Sequence, residues 1–314
     1  MAKATISKGV KTKTTWANAL KRDWQLYLLL MIPVALVVIF NYASYGGIRM
    51  VFMDYKPAKG YAGSKWVGWA TFQKVFKDKD FIRALKSSIV FNLLDLAVGF
   101  PMPIILALIL NELRFPRFKK VTQTILYLPH FLSWVVLAMI FRDLLDGSGI
   151  INSGLMALGI IKEPIVFLGN NSWFQGLMIG TDVWKEFGYG AIIFIAALTS
   201  INTELYEAAA IDGAGRLQRI WHITLPGIAV TIVLVATLNI ANILNAGFDQ
   251  IYNLYSPIVY STGDIIDTFV YRLGLLDAQY GPATAVGLFK SVISTLFISI
   301  SYFLAYKLAD YRIF

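Results

Sequence analysis

Six runs of about twenty or more mostly apolar residues recur along this chain, near 25–45, 88–111, 121–142, 173–200, 227–248 and 285–306. A helix needs about 20 such residues to cross the ~30 Å hydrocarbon layer of a bilayer, so these runs narrow the fold more than any other feature. Of the 314 residues, 57% are hydrophobic and only 15% are charged. A soluble domain of that length could not bury so much apolar surface. The pattern predicts an all-α membrane protein with six transmembrane helices. No internal repeat, low-complexity tract or soluble domain interrupts it. The expected organisation is a basic cytoplasmic arm over 1–24 and one six-span domain over 25–314.

Lys3, Lys8, Lys11, Lys13, Lys21 and Arg22 precede the first run, as basic residues precede a signal peptide. That run is too long for a cleaved signal, and no small-x-small cleavage site follows it, so it reads as a retained first span. The chain has no cysteine, which excludes disulfide frameworks, thiolate nucleophiles and cysteine-based metal sites. Its two histidines, His130 and His222, form no metal-binding pair such as HExxH and read as structural. No GxxxxGK[ST] loop is present to cradle a nucleotide phosphate, so the chain is expected to bind no cofactor of its own. A catalytic reading lacks a nucleophile, base and orienting group in any recognisable arrangement.

One polar segment between the spans has an ordered spacing over 202–226. Glu207-Ala208-Ala209 is followed by three residues, Gly213, nine residues, and Ile223-Thr224-Leu225-Pro226. Asn202 or Thr203 can cap a helix start, Glu204 and Glu207 suit its electropositive end, and Ala208 to Ala210 propagate it. Gly213 and Gly215 interrupt that helix, and Pro226 opens the next span. This spacing resembles the EAA loop of binding-protein-dependent ABC importer permeases. The resemblance implies a type I (MetI-like) importer architecture in which the loop docks into a groove on a separate ATPase. It assigns that coupling role to Glu207, Ala208, Ala209, Asp212, Gly213, Leu225 and Pro226.

Charge alone leaves orientation open. Arg114, Arg117, Lys119 and Lys120 mark one loop as cytoplasmic, yet residues 46–86 hold nine basic residues and would then lie outside. Those nine are Arg49, Lys56, Lys59, Lys65, Lys74, Lys77, Lys79, Arg83 and Lys86. The loop resembling an ATPase-docking element decides the matter, since it can meet an ATPase only in the cytoplasm. An even number of spans then puts both termini there, at the cytoplasmic or inner membrane, with Lys307 and Arg312 inside. In the outer stretch, Trp69, Phe72, Val75 and Phe76 recur at helical spacing and predict an amphipathic helix lying at the membrane surface. Residues 143–172, rich in glycine, predict a small external cap.

Ionisable groups at bilayer depth cost at least ~2.5 kcal/mol, so they point first to a pathway or to packing inside the bundle. Asp182, Lys185 and Glu186 surround Trp184 on the fourth span and share a helical sector in which Lys185 can neutralise an acid. An aromatic face beside planar polar groups suits a sugar; a structural ion pair explains the same residues. On the fifth span Asn239, Asn242, Asn245 and Asp249 fall at steps that make a polar stripe. Amides suit hydroxyl-rich solutes, and they also join membrane helices to one another.

The block from Pro257-Ile258-Val259-Tyr260 through Gly263-Asp264, Val270-Tyr271-Arg272 and Gly274-Leu275 to Gly287-Leu288-Phe289-Lys290-Ser291-Val292 is similar to the LplB-like branch of these permeases. That branch imports polysaccharides and complex oligosaccharides. The resemblance implies a second homologous permease as heterodimer partner, two ATPase subunits that use ATP and Mg, and an extracytoplasmic solute-binding protein. Carbohydrate is the implied substrate, membrane lipid surrounds the chain, and nucleic acid is not among the partners. The lysine excess outside favours acidic oligosaccharides such as alginate or pectin fragments. The same lysines would equally suit an acidic binding protein or lipid headgroups. A rival reading, an ion-gradient-driven secondary transporter, would use the charges of the fourth span for coupling and has no need of the 202–226 pattern.

Overall fold

The computed structural model describes residues 20–309. The expected arm over 1–24 therefore lies largely outside the described residues, as does Arg312. The chain divides into two compact units, Met1–Met50 and Val51–Phe314.

In the first unit, α1 (Trp24–Val37) is apolar on every side and contains Pro33, and helical backbone continues through a π segment, Val38–Tyr42. Trp24–Phe52 forms one apolar span of 29 residues.

The second unit opens with two short antiparallel strands, β1 (Met53–Asp54) and β2 (Lys65–Trp66), paired Met53 to Trp66 and Asp54 to Lys65. Then follow α2 (Ala70–Lys77), α3 (Lys79–Leu94), α4 (Pro101–Glu112), α5 (Pro116–Tyr127), α6 (Trp134–Leu145), α7 (Ile150–Ala157) and α8 (Asn171–Leu198). Beyond them lie α9 (Thr203–Ile211), α10 (Arg216–Arg219), α11 (Leu225–Gly227), α12 (Ala229–Ala241), α13 (Phe248–Leu254), α14 (Tyr260–Gly263), α15 (Ile266–Tyr271) and α16 (Tyr280–Ala309).

Three helices are long and apolar enough to cross a membrane unaided, and six spans result if each of three bent pairs counts as one. Lys79–Glu112 joins α3 to α4 through a π segment at Asp95–Gly99, which widens the helix where Asp95 projects. The third expected span, 121–142, is not one helix. It breaks between Phe131 and Trp134 with a bend of 98°, because Pro129 ends one helix and Ser133 caps the next through Val136 N–H at 3.3 Å. The fifth also differs: Arg216–Gly227 and Ala229–Ala241 meet at 62°, and helix stops at Ala241 instead of running to 248.

Three apolar clusters hold the second unit together. One gathers Phe72, Val75, Phe81, Ile266, Phe269 and Val286, so α2 packs on the protein, with Phe76 edge-on to Phe289 at 5.4 Å. The amphipathic helix expected from this periodicity is thus present, with its apolar face turned onto the protein. A second centres on Phe91, Phe174, Ile251 and Ile265, and a third on Leu110, Ala191, Phe194 and Ile228. The α5 and α8 helices approach closely at Gly188, where a Cβ atom would sit 2.0 Å from the Leu126 carbonyl oxygen. In the 143–172 segment, buried Asn152 ties the α7 turn together. Its amide donates to Asp146 O at 2.8 Å and Ile165 O at 2.9 Å, and its oxygen accepts from Ile165 N–H at 2.8 Å.

Candidate functional site: a projecting loop and a polar pathway wall

The 202–226 segment builds a rigid projection. Asn202 caps α9 by accepting from Glu204 N–H at 3.0 Å, as its residue type predicts. Glu204 lies in the first turn; Glu207 falls one turn later than the sequence pattern suggested. The helix ends with Gly213 at φ +73, Gly213 N–H bonded to Ala210 O at 3.2 Å and Ala214 N–H to Ala209 O at 2.8 Å. This Schellman arrangement needs a left-handed residue, which glycine supplies without a Cβ penalty. The returning chain is locked back on α9 by Tyr206 and buried Thr224, whose hydroxyls lie 3.0 Å apart. Gly215 N–H donates to the Gln218 side chain at 2.8 Å and sets the start of α10.

No residue of α9 is buried. Glu207, Ala208 and Asp212 are exposed, Ala209 and Leu225 are half-buried, and Pro226 is exposed. Ile211 is 87% exposed and Trp221 67%, with Leu217 beside them in the same loop. A concavity of about 340 Å³ opens between Ala209, Asp212, Gly213, Arg219 and His222. Apolar side chains on a stiff, capped projection form a surface made to be covered.

The second feature lies among α3, α8 and α12. Asp95, Asp182, Glu186, Tyr189 and Asn239 line a concavity of about 300 Å³. Behind it, Asn92, Asp95, Asp182, Asn245 and Gln250 line a smaller one of about 60 Å³. Asp95, Asp182, Glu186, Asn239 and Asn245 thus share one continuous polar wall.

Lys185 does not face it. Its buried ammonium donates to Glu186 at 2.7 Å and to His130 O at 3.0 Å, and sits 5.7 Å from the Trp134 ring centre. Glu186 also meets His130 Nδ1 at 2.7 Å, and the His130 ring stacks on Tyr189 at 3.8 Å. The structural ion pair considered for this sector is present, between Lys185 and its chain neighbour Glu186.

Trp184 turns to the other side of α8, edge-on to Phe141 at 5.8 Å, and lines neither concavity. The continuous asparagine stripe is likewise corrected, because α12 ends at Ala241 and Gly247 is left-handed at φ +74. Asn242 donates to Leu238 O at 3.1 Å and accepts from Asn245 at 3.0 Å, so it closes the helix end and does not line the wall.

Three groups escaped the sequence reading. Gln250 is buried and donates to Met178 O at 2.7 Å and Thr181 Oγ1 at 2.8 Å, anchoring α13 to α8. Fully buried Asp264 receives a two-pronged bond from Arg272 at 2.5 and 3.1 Å, and Lys290 reaches Asp267 at 2.5 Å. Asp264, Arg272 and Lys290 fall in the 257–292 block that resembles the LplB-like branch, a resemblance that assigned them no partners. No group of three or more His, Asp or Glu side chains among the described residues could hold a metal ion.

Known proteins show the same organisation. Protein LplB of Bacillus subtilis is 42% identical over 304 residues, covering 96% of this chain and 94% of that protein. The polygalacturonan/rhamnogalacturonan transport system permease protein YteP, also of Bacillus subtilis, is 40% identical over 312 residues, covering 99% and 96%. A bacterial ABC transporter involved in import of the acidic polysaccharide alginate superposes with a TM-score of 0.86 at 38% identity, covering 93% of this chain and 98% of its counterpart. The bacterial alginate transporter in complex with alginate pentasaccharide-bound periplasmic protein superposes with a TM-score of 0.85. Residues 99–310 match the family described as the binding-protein-dependent transport system inner membrane component. A chain with this loop, this span order and these relatives belongs to that family of inner-membrane transport permeases.

Proposed function

We propose that the chain forms one half of the membrane pathway of an ATP-driven importer of acidic oligosaccharides. The observation that carries this reading is the 202–226 projection: a capped helix with no buried residue, closed at Gly213 and pinned to the following span through Tyr206 and Thr224. Such a rigid projection transmits force from whatever grips it. A separate ATPase dimer, using ATP and Mg, closes on nucleotide binding and drives this loop and that of a second permease together. The two half-pathways then rock between inward-facing and outward-facing states around a midplane site. In this assembly the chain performs no chemistry itself. Both termini and the loop face the cytoplasm, and an extracytoplasmic binding protein delivers solute to the other side.

Hydroxyl-rich solute would meet the wall formed by Asp95, Asp182, Glu186, Asn239 and Asn245, where carboxylates and amides accept and donate hydrogen bonds. The acidic substrate class is supported by the similar proteins named above, a polygalacturonan/rhamnogalacturonan permease and an alginate importer. The test is uptake by the complete transporter reconstituted with loaded binding protein. Import of uronate oligosaccharides that stops without ATP supports the reading; import that runs on an ion gradient alone contradicts it.

A further inference from the structure

Counting the bent pair Arg216–Gly227 and Ala229–Ala241 as one span, the chain crosses the membrane once between the 202–226 loop and the segment that leads into α16. The start of α16 therefore lies at the end of the bundle away from that loop. There a groove of about 380 Å³ opens between the β1–β2 hairpin, α2 and the first turn of α16. That volume lies in the lower part of the roughly 300–1,000 Å³ range of ligand pockets. Its polar and aromatic lining includes Tyr55, Lys56, Lys74, Gln279 and Tyr280, together with one carboxylate, exposed Asp54.

These groups have the chemistry of a sugar-acid site. Tyr55 and Tyr280 are half-buried with ring centres 6.2 Å apart and planes at 83°, offering two aromatic surfaces at a corner. Aromatic faces take the C–H side of a pyranose ring, and tyrosine hydroxyls and the Gln279 amide can bond its hydroxyls. Lys74 joins no ion pair among the described residues, and Lys56 has only a loose exposed pairing with Asp54 at 3.8 Å. Two available ammonium groups beside aromatic rings suit carboxylates carried on sugar rings.

The backbone adds an independent sign. Ala278 has φ +53 and is the one non-glycine residue in the left-handed region among the described residues. That conformation costs an L-residue roughly 1–2 kcal/mol, and such strain concentrates at ligand sites. Here it reverses the chain so that Gln279 N–H bonds Leu273 O at 2.9 Å and Gln279 and Tyr280 border the groove.

We propose that this groove binds a uronate-bearing oligosaccharide on the face away from the ATPase-docking loop, holding it beside the pathway entrance. The inference rests on the acidic-oligosaccharide reading given above. The test uses the complete transporter in nanodiscs without binding protein, titrated calorimetrically with trigalacturonate and with maltotriose. Wild type should bind trigalacturonate in preference to maltotriose. Lys56→Gln/Lys74→Gln should weaken trigalacturonate by roughly tenfold or more, the loss of at least one charge-assisted contact. Lys56→Arg/Lys74→Arg should retain most of the binding, and Lys77→Gln, outside the groove, should leave it unchanged.

Unchanged trigalacturonate affinity in the glutamine double variant overturns the proposal. So does a loss confined to affinity for the binding protein, or for anionic lipid in the disc, since either would identify a different occupant. A transporter that imports trigalacturonate with binding protein but binds none without it overturns the groove alone. One that imports only maltotriose overturns the acidic-substrate reading itself.

Discussion

Gly213 sets the shape of the projecting loop, since its φ of +73 is what lets the chain fold back after Ile211. Gly213→Val would cost roughly 1–2 kcal/mol locally in that conformation. ATPase stimulation by loaded binding protein should fall at least about tenfold, the equivalent of 1.4 kcal/mol, while far-ultraviolet circular dichroism stays unchanged. Stimulation at the wild-type level would contradict the loop's role. A second residue-scale case is Glu186→Gln. It leaves the Lys185 ammonium, 6% exposed, without its paired carboxylate and held only by neutral oxygens such as the His130 carbonyl, and should cost about 1–3 kcal/mol. A thermal unfolding midpoint unchanged from wild type would contradict that assignment. At this scale the sequence revealed the loop residues well, because capping and left-handed glycine are local preferences. It misplaced Trp184 and Asn242, whose surroundings depend on how α8 and α12 are rotated and where α12 stops. It could not reveal Gln250, whose partner lies 72 residues away across packed helices, and it assigned no pairing to Asp264 and Arg272 at the two ends of α15.

Elements show a similar division. The fourth span was read as 173–200, and the structure has one unbroken helix there, Asn171–Leu198, whose 28 residues rise about 42 Å and which counts as a span together with the helix that follows it at a 77° bend, Thr203–Ile211. Bends at Leu132 and Ile228 were not read, although Pro129 and Pro226 signalled helix boundaries close to both. An apolar run reports length, and a kink is decided by neighbours that re-satisfy the freed backbone. Close packing of α5 on α8 depends on Gly188, so Gly188→Val should force the helices apart and destabilise the protein by about 1–3 kcal/mol, read as a lower unfolding midpoint in detergent. An unchanged midpoint would contradict the close approach.

In the turn after α6, the Ser148 N–H and hydroxyl hold the Asp146 carboxyl below the usual carboxylate range. Its contribution is present above the unfolded value near 3.9 and is lost as pH falls through the lower folded-state value. The Ser148 amide resonance should therefore titrate below about pH 3.9; titration at or above it would contradict this contact.

At the scale of the whole molecule, the 202–226 loop and the polar wall both belong to the second unit, Val51–Phe314. On the proposed reading, the 202–226 loop accepts force at one end, and the carboxylate and amide wall between α3, α8 and α12 meets solute. The six-span plan and the loop were legible because hydrophobic length and motif spacing survive in the linear order of residues. The wall was legible only in part, because Asp95 owes its position to a π segment and Asn245 to a turn. The central claim is that the loop is gripped by an ATPase. The chain contains no cysteine, so Ala208→Cys places a single thiol on the exposed face of α9. With single-cysteine ATPase partners in the assembled transporter, a short bifunctional crosslinker should join this chain to the ATPase through residue 208, and a Lys77→Cys control should give no such product. Absence of crosslinking at 208 with every ATPase position tried, in a complex that still hydrolyses ATP and transports, would contradict the account.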